Sequence, residues 1–273
     1  MDSMQALAEL GVTPALTPEQ REALDRDGFF VVENVLTPEQ CVAMREEFDR
    51  IVAAEAGSGV VMDAEAGATR LSDLFNKSDV FDAALAVEPV LAASQYLLGD
   101  FKLHGANIRD PHRGGGDQPL HSDVPKSGEE DWRLVNALIV LDDLTLDNGP
   151  TRIVPGSHRL PHNNTPTVNL AEGEEQRGDY GDQSRFPEDP YAEYPGQILF
   201  TAPAGSVAVC NASLWHGGTS NRDGARRRML HLTYTRRDLM QQFVQQDHLT
   251  EGLYDRLSPA QRYLFDVQAP TSA

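Results

Sequence analysis

The sequence predicts a mainly β fold with flanking α-helices, and two observations carry that expectation. The first third holds two strong helix-start signals and an apolar, alanine-rich stretch. From Phe101 onward, short apolar runs alternate with turn residues. Many short strands in series make a sandwich, a barrel or a jelly roll.

The elements follow in order. Thr17-Pro18-Glu19-Gln20 joins an N-cap hydroxyl, a proline at the first helical position and a glutamine placed to cap in return. Gly28 suits the end of that helix, and Phe29–Val32 reads as a short buried strand. Thr37-Pro38-Glu39-Gln40 repeats the start signal, and Cys41, Met44, Phe48 and Ile51 then recur at helical spacing along one face. Residues 57–67 are small and loop-like, and the stretch through Leu98 reads as one or two more helices. The first third is therefore expected to hold a single strand. Leu134–Leu141, Arg152–Val154, Ile198–Phe200, Val207–Cys210 and Met229–Tyr234 each have strand length and turn residues nearby.

The expected organisation is one domain over 1–273. A helical part (1–100) precedes a core (101–236), and a helical tail (237–273) follows. A polar, lid-like insertion at 159–196 interrupts the core, since structureless loops of that length are usually functional lids or disordered insertions. Tyr180, Arg185, Tyr191 and Tyr194 are its candidate substrate contacts.

Composition narrows the function. Hydrophobic residues make up 40% of 273 and charged residues 24%, as in ordinary globular chains. No apolar run reaches membrane-spanning length, and the first residues lack the basic-then-apolar pattern of a secretory signal. Cys41 and Cys210 are too few for a disulfide framework or a thiolate metal site. A cytoplasmic location is the expectation. The formal net charge of −19 repels phosphate backbones and anionic lipid, so neither nucleic acid nor membrane is an expected partner. It also disfavours a large polyanionic substrate such as an acyl-CoA, which leaves a small molecule.

His121-Ser122-Asp123 carries the chemistry. In a strand, residues i and i+2 share a face, so an imidazole and a carboxylate aim at one point. His216, after the run Val207–Trp215, supplies a second imidazole. Two histidines and one carboxylate on one face of an iron(II) ion leave the opposite positions open for a co-substrate and dioxygen. Arg226, Arg227 and Arg228 follow. Alternation puts Arg227 on one face with Met229, His231 and Thr233, where a guanidinium can grip a carboxylate in paired hydrogen bonds. Its two neighbours read as a solvated charged turn.

Together these stretches resemble the phytanoyl-CoA dioxygenase family of iron(II)- and 2-oxoglutarate-dependent oxygenases. The likeness runs from Asp27-Gly28-Phe29-Phe30-Val31-Val32-Glu33-Asn34-Val35-Leu36 through Gln118-Pro119-Leu120-His121-Ser122-Asp123 and Leu141-Asp142-Asp143. It continues in Asn148-Gly149-Pro150-Thr151-Arg152-Ile153-Val154-Pro155-Gly156-Ser157-His158-Arg159, the most specific stretch. Ala204-Gly205-Ser206-Val207, Trp215-His216-Gly217-Gly218, Asn221 and Arg227 complete it.

The resemblance implies a double-stranded β-helix, a cupin-like jelly roll. It implies His121, Asp123 and His216 as Fe(II) ligands and Arg227 as the cation for the distal carboxylate of 2-oxoglutarate. Gln118 and Thr151 match positions that line the co-substrate pocket in relatives; taken alone, they read equally as a polar strand end and a β-branched strand residue. His158, in a Pro-Gly-Ser-His turn, is expected to tie down its loop. Two departures stand out: Gly218 where many relatives carry serine, and an aliphatic residue near Leu138 where an aromatic is common. The implied reaction couples decarboxylation of 2-oxoglutarate to succinate and CO2 with hydroxylation of an unactivated C–H bond. The substrate would be a secondary metabolite, an amino-acid derivative or a sugar-like compound. Desaturation, epimerisation, ring formation or endoperoxide formation use the same cofactors and stay open. Asp123 argues against a halogenase, which needs that coordination position for chloride. A cupin-like binding protein would not require the full ligand set, and a zinc hydrolase would not require Arg227.

Overall fold

The computed structural model describes residues 1–55, 67–124, 126, 128, 130–160 and 186–269. The expected loop at 57–67 lies outside them except for Gly67. So does most of the lid-like insertion, Tyr180 and Arg185 included.

The helices are α1 (Ser3–Glu9), α2 (Pro18–Arg26), α3 (Pro38–Glu55), α4 (Leu74–Lys77), α5 (Glu88–Leu98), α6 (Gln245–His248), α7 (Glu251–Arg256) and α8 (Pro259–Phe265). The strands are β1 (Phe29–Val32), β2 (Ala68–Ser72), β3 (Phe101–Pro111), β4 (Leu134–Val140), β5 (Thr151–Ile153), β6 (Ile198–Phe200), β7 (Val207–Asn211), β8 (His216–Gly218) and β9 (Met229–Arg236).

Both repeated start signals form reciprocal caps. The Gln20 amide N–H donates to the Thr17 hydroxyl at 3.2 Å, and the Thr17 N–H donates to the Gln20 side chain at 2.9 Å. Thr37 and Gln40 do the same at the head of α3, whose buried residues are Cys41, Met44, Phe48 and Ile51. The first third departs from expectation in one respect, because β2 is a second strand there. Only Leu71 of its five residues is fully buried, so no apolar alternation announces it. The longest strand, β3, also goes unannounced, since Lys102, His104, Asn107 and Arg109 interrupt its apolar residues and a register shift after Leu103 breaks the alternation.

Six antiparallel strands form a large sheet in the order β1-β7-β4-β9-β3-β2, and β6-β5-β8 form a small one. One face of the large sheet is sealed by helices. Leu103, Ile108, Val135, Ile139, Val209, Leu230, Leu232 and Tyr234 pack there with Leu7, Met44, Phe48, Phe81, Leu91 and Phe265 in one cluster. Each fully buried side chain of that size contributes about 1.5–3 kcal/mol. The other face turns toward the small sheet. There Leu138, Val140, Ala208, Cys210 and Met229 meet Ile153 and Phe200. Two sheets enclosing a second interior make the double-stranded β-helix that the sequence motifs imply. Among the described residues no single helix is long and apolar enough to cross a membrane.

The three consecutive arginines correct one expectation. Arg226 is half exposed, but besides the surface Asp49 it pairs with the buried Asp110, so it too is more than a solvated turn residue. Arg228 is not a solvated neighbour: it is 8% exposed. Its Nε and Nη2 donate to the two carboxylate oxygens of Asp142 at 2.8 Å each, and Nη1 donates to Asp49 at 2.9 Å. Burial alone would raise the Asp142 carboxyl, but the Arg228 guanidinium outweighs it and holds the group below its ordinary value. This pair locks the end of β4 to the entry of β9, so it fixes the backbone that carries Arg227.

Breaking one side of such a pair costs about 3–5 kcal/mol, so urea unfolding should show Arg228→Ala destabilised by about that much at neutral pH. A carboxyl held low stabilises fully above its unfolded pKa, and that contribution is lost as pH falls through the lowered folded value. The wild type should therefore lose more stability on acidification through the carboxylate range than Arg228→Ala does. Equal acid slopes would count against the pairing.

Candidate metal centre

His121 and His216 are brought together by backbone. The His121 N–H donates to the His216 carbonyl at 2.9 Å, and the His216 N–H returns to the His121 carbonyl at 2.8 Å. This isolated antiparallel bridge extends the small sheet beyond β8. It replaces the regular strand expected at 121–123. The chain bends after Ser122, and the Asp123 N–H donates to Ala212 O at 3.0 Å. The two imidazole centroids lie 4.5 Å apart.

Each ring is held in one orientation. Nδ1 of His121 bonds the Pro119 carbonyl at 2.8 Å, and Nδ1 of His216 bonds the Leu214 carbonyl at 2.9 Å. A carbonyl only accepts, so each Nδ1 carries the proton and each Nε2 presents its lone pair, as metal-binding histidines require. Those lone pairs converge on the carboxylate: Nε2 of His121 is 3.7 Å from Asp123 Oδ1, and Nε2 of His216 is 3.6 Å from Oδ2. The ligand atoms of all three residues lie within 4.8 Å of one another. An ion bonded at about 2.1 Å can bridge atoms about 4 Å apart, so these residues fit a transition-metal ion. Burial, and next the neighbouring His216, push His121 down to about 4, which keeps its ring neutral and ready to coordinate.

Asn136 was not foreseen. Its Nδ2 donates to Asp123 Oδ2 at 2.9 Å from the middle of a fully buried strand. The signal was present: an amide inside Leu134-Val135-Asn136-Ala137-Leu138-Ile139-Val140 needs a partner. That bond fixes the orientation of the carboxylate beside the two imidazoles. Leu138, Ile153 and Cys210 supply the apolar wall of the adjoining pocket. Burial pushes the Cys210 thiol up to about 12, with Asp123 adding to the shift, so it stays protonated.

The other site candidates fall as follows. Gln118 straps the small sheet: its N–H donates to Gly218 O, and its Oε1 accepts from Gly218 N, both at 3.0 Å. A Cβ on Gly218 would lie 2.4 Å from the Gly116 carbonyl oxygen, which explains why serine does not stand there. Thr151 is buried in β5 opposite Gly218, on the same strand face as Ile153. Arg227 is 5% exposed and lies just before β9 rather than within it. His158 does anchor its loop. Its Nε2 meets the Asp25 carbonyl at 3.2 Å, and the bare Cα of Gly28 makes room for its ring. Tyr191 is exposed, whereas Tyr194 packs edge-on against Trp215.

Arg152 was also missed. Its guanidinium donates to the carbonyls of Gln118, Pro190, Tyr191 and Ala192 at 2.6–3.1 Å. It thereby fastens residues 190–192 to the segment that leads into His121.

Among curated proteins, the chain is 30% identical over 221 residues to the ectoine dioxygenase of Nocardia farcinica, covering 74% of this chain and 72% of that one. It is 27% identical over 235 residues to the L-proline trans-4-hydroxylase of Streptomyces griseoviridis, covering 77% and 83%. Among solved structures, HygX from Streptomyces hygroscopicus with nickel and 2-oxoglutarate bound superposes with a TM-score of 0.63. Its identity is 18%, and 83% of this chain and 90% of that one are covered. The family model for phytanoyl-CoA dioxygenase matches residues 24–229, a span that contains the bridge, the carboxylate and all three arginines, and the chain belongs to that family.

Proposed function

We propose that this chain is an iron(II)- and 2-oxoglutarate-dependent dioxygenase that hydroxylates an unactivated C–H bond of a small molecule. The observation that carries the reading is the convergence of His121 Nε2, His216 Nε2 and an Asp123 carboxylate oxygen, with both Nδ1 atoms committed to carbonyls. When bound, the ion supplies the redox chemistry by which 2-oxoglutarate and dioxygen yield succinate, CO2 and hydroxylated product.

The protein's part is positioning. His121 and His216 hold the ion through fixed tautomers, and Asn136 turns the Asp123 carboxylate toward it. Arg227 offers the cation for the distal carboxylate of the co-substrate, while Gln118 and Thr151 stand beside that pocket. Leu138 and Ile153 keep the adjoining space apolar and exclude water. The family supports the chemistry, and the relatives named for ectoine and L-proline support an amino-acid derivative as the first substrate class to test. A secondary metabolite or sugar-like compound follows. Desaturation and epimerisation would use the same residues.

The first measurement is metal stoichiometry after anaerobic reconstitution. One iron(II) per chain is expected, with His121→Ala, Asp123→Ala and His216→Ala each abolishing turnover and sharply weakening metal binding. A wild type without a stoichiometric iron site would overturn the proposal. Asn136→Leu should weaken metal binding less than any of these, because it removes an orienting bond and no ligand.

The co-substrate assignment is tested at Arg227. Breaking one side of a buried charge-assisted pair costs about 2–5 kcal/mol, roughly thirty- to several-thousand-fold in affinity. Arg227→Ala should raise the 2-oxoglutarate concentration needed for succinate release by such a factor, with iron content intact. Arg226→Ala should change it little, since that guanidinium is committed to Asp49 and Asp110. Unaltered 2-oxoglutarate dependence in Arg227→Ala would remove this residue from the pocket.

A further inference from the structure

Across β2, β3 and β9 the face turned to the interior is polar. Cross-strand register aligns Ser72, Asn107 and His231 in one row, with Leu138 of β4 next to His231. Arg70 and Arg109 are aligned in the next row, opposite Met229. Strand neighbours on the other face, Leu71, Ile108, Leu230 and Leu232, are sealed in the helix-covered core. His231 is only partly buried, between the fully buried Leu230 and Leu232.

In the first of these rows, two neighbouring residues carry orphaned atoms. His231 Nε2 and Asn107 Oδ1 are buried and have no hydrogen-bond partner. They belong to residues that face each other across the β3–β9 ladder, so both lie on one small patch. Buried polar atoms without partners are rare in folded chains and point to a ligand or ordered solvent at that place. The groups bearing on the charge of His231 fix its location. After burial itself these are Arg109, Arg227 and Arg70, followed by His216. Its cross-strand partner Leu138 lines the pocket that holds Asp123 and His216, so His231 stands one strand over from that pocket, within the electrostatic reach of Arg227 and His216.

We propose that His231 is a second recognition residue for the distal carboxylate of 2-oxoglutarate, donating a ring N–H to it beside Arg227, with the Asn107 amide completing that polar wall. This rests on the co-substrate reading given above. An imidazole N–H donates in either charge state, so the role does not depend on titration. The Asn107 amide can present its NH2 to the same carboxylate by a half-turn about its last bond. The arrangement adds neutral donors to the guanidinium of Arg227, which selects a carboxylate by hydrogen-bond geometry as well as by charge.

The test is calorimetric titration of 2-oxoglutarate into the iron(II)-loaded full-length protein under anaerobic conditions. The variants are His231→Leu, His231→Gln and Asn107→Leu, with iron(II) affinity and thermal midpoint measured for each. His231→Leu should weaken 2-oxoglutarate binding at least tenfold while iron(II) affinity stays within twofold of wild type. His231→Gln, which keeps a donor, should recover to within about threefold, and Asn107→Leu should lose severalfold. The inference is overturned if folded His231→Leu binds 2-oxoglutarate within twofold of wild type. It is overturned equally if glutamine fails as badly as leucine, or if iron(II) affinity falls in step. A wild type that binds iron(II) but not 2-oxoglutarate would instead refute the co-substrate reading on which the inference rests.

Discussion

Two backbone hydrogen bonds, exchanged between His121 and His216, set the geometry on which the site depends. In stability they are ordinary, worth about 1 kcal/mol each. Their consequence is positional, because they join segments that are distant in sequence and leave both imidazoles on one side of the same bridge. Everything around them maintains that register. Gln118 ties Gly218 just beyond the bridge, Arg152 gathers the carbonyls of the incoming segment, and Ser157 Oγ accepts from the Trp215 N–H immediately before His216. The absence of a side chain on Gly218 belongs to the same constraint, since the Gly116 carbonyl occupies that space.

The large sheet divides its labour between faces. Where β4 and β7 run through its centre, every residue is buried and the interior face is mostly apolar. Toward β2 the interior face turns polar, and alternate residues of β3 and β9 keep accessible surface. Placing asparagine, histidine and arginine on an inward face is unfavourable unless they meet partners. Folding alone does not ask for them. The helix-covered face supplies the apolar burial, which leaves the other face free to be shaped by what it must hold.

That division explains what was legible in the sequence. Helices α2 and α3 were readable because Thr17 with Gln20 and Thr37 with Gln40 are local signals satisfied within four residues. Strands β4 and β7 were readable because central strands are apolar on both faces. By contrast, β2 and β3 were hidden by their polar residues, which remove the apolar alternation a strand is recognised by. The metal candidates were legible from residue type and spacing, although the regular strand assumed for His121 and Asp123 is a single bridge followed by a bend. Asn136 could have been suspected from its apolar surroundings, but its partner could not be named without the fold.

The arginine triplet shows where local reasoning stops. Alternation along a strand separates Arg227 from its neighbours, and it treats those neighbours alike. In the fold they differ. Arg226 stays half exposed while bridging the surface Asp49 and the buried Asp110, whereas Arg228 is drawn inward by both oxygens of Asp142. Asp142 lies far from Arg228 in sequence, so no window around the triplet contains the information. The consequence reaches the site itself. Two flanking arginines anchored by carboxylates, one at the surface and one beneath it, hold the backbone on either side of Arg227. The pairs at Arg226 and Arg228 thus fix the chain on either side of Arg227.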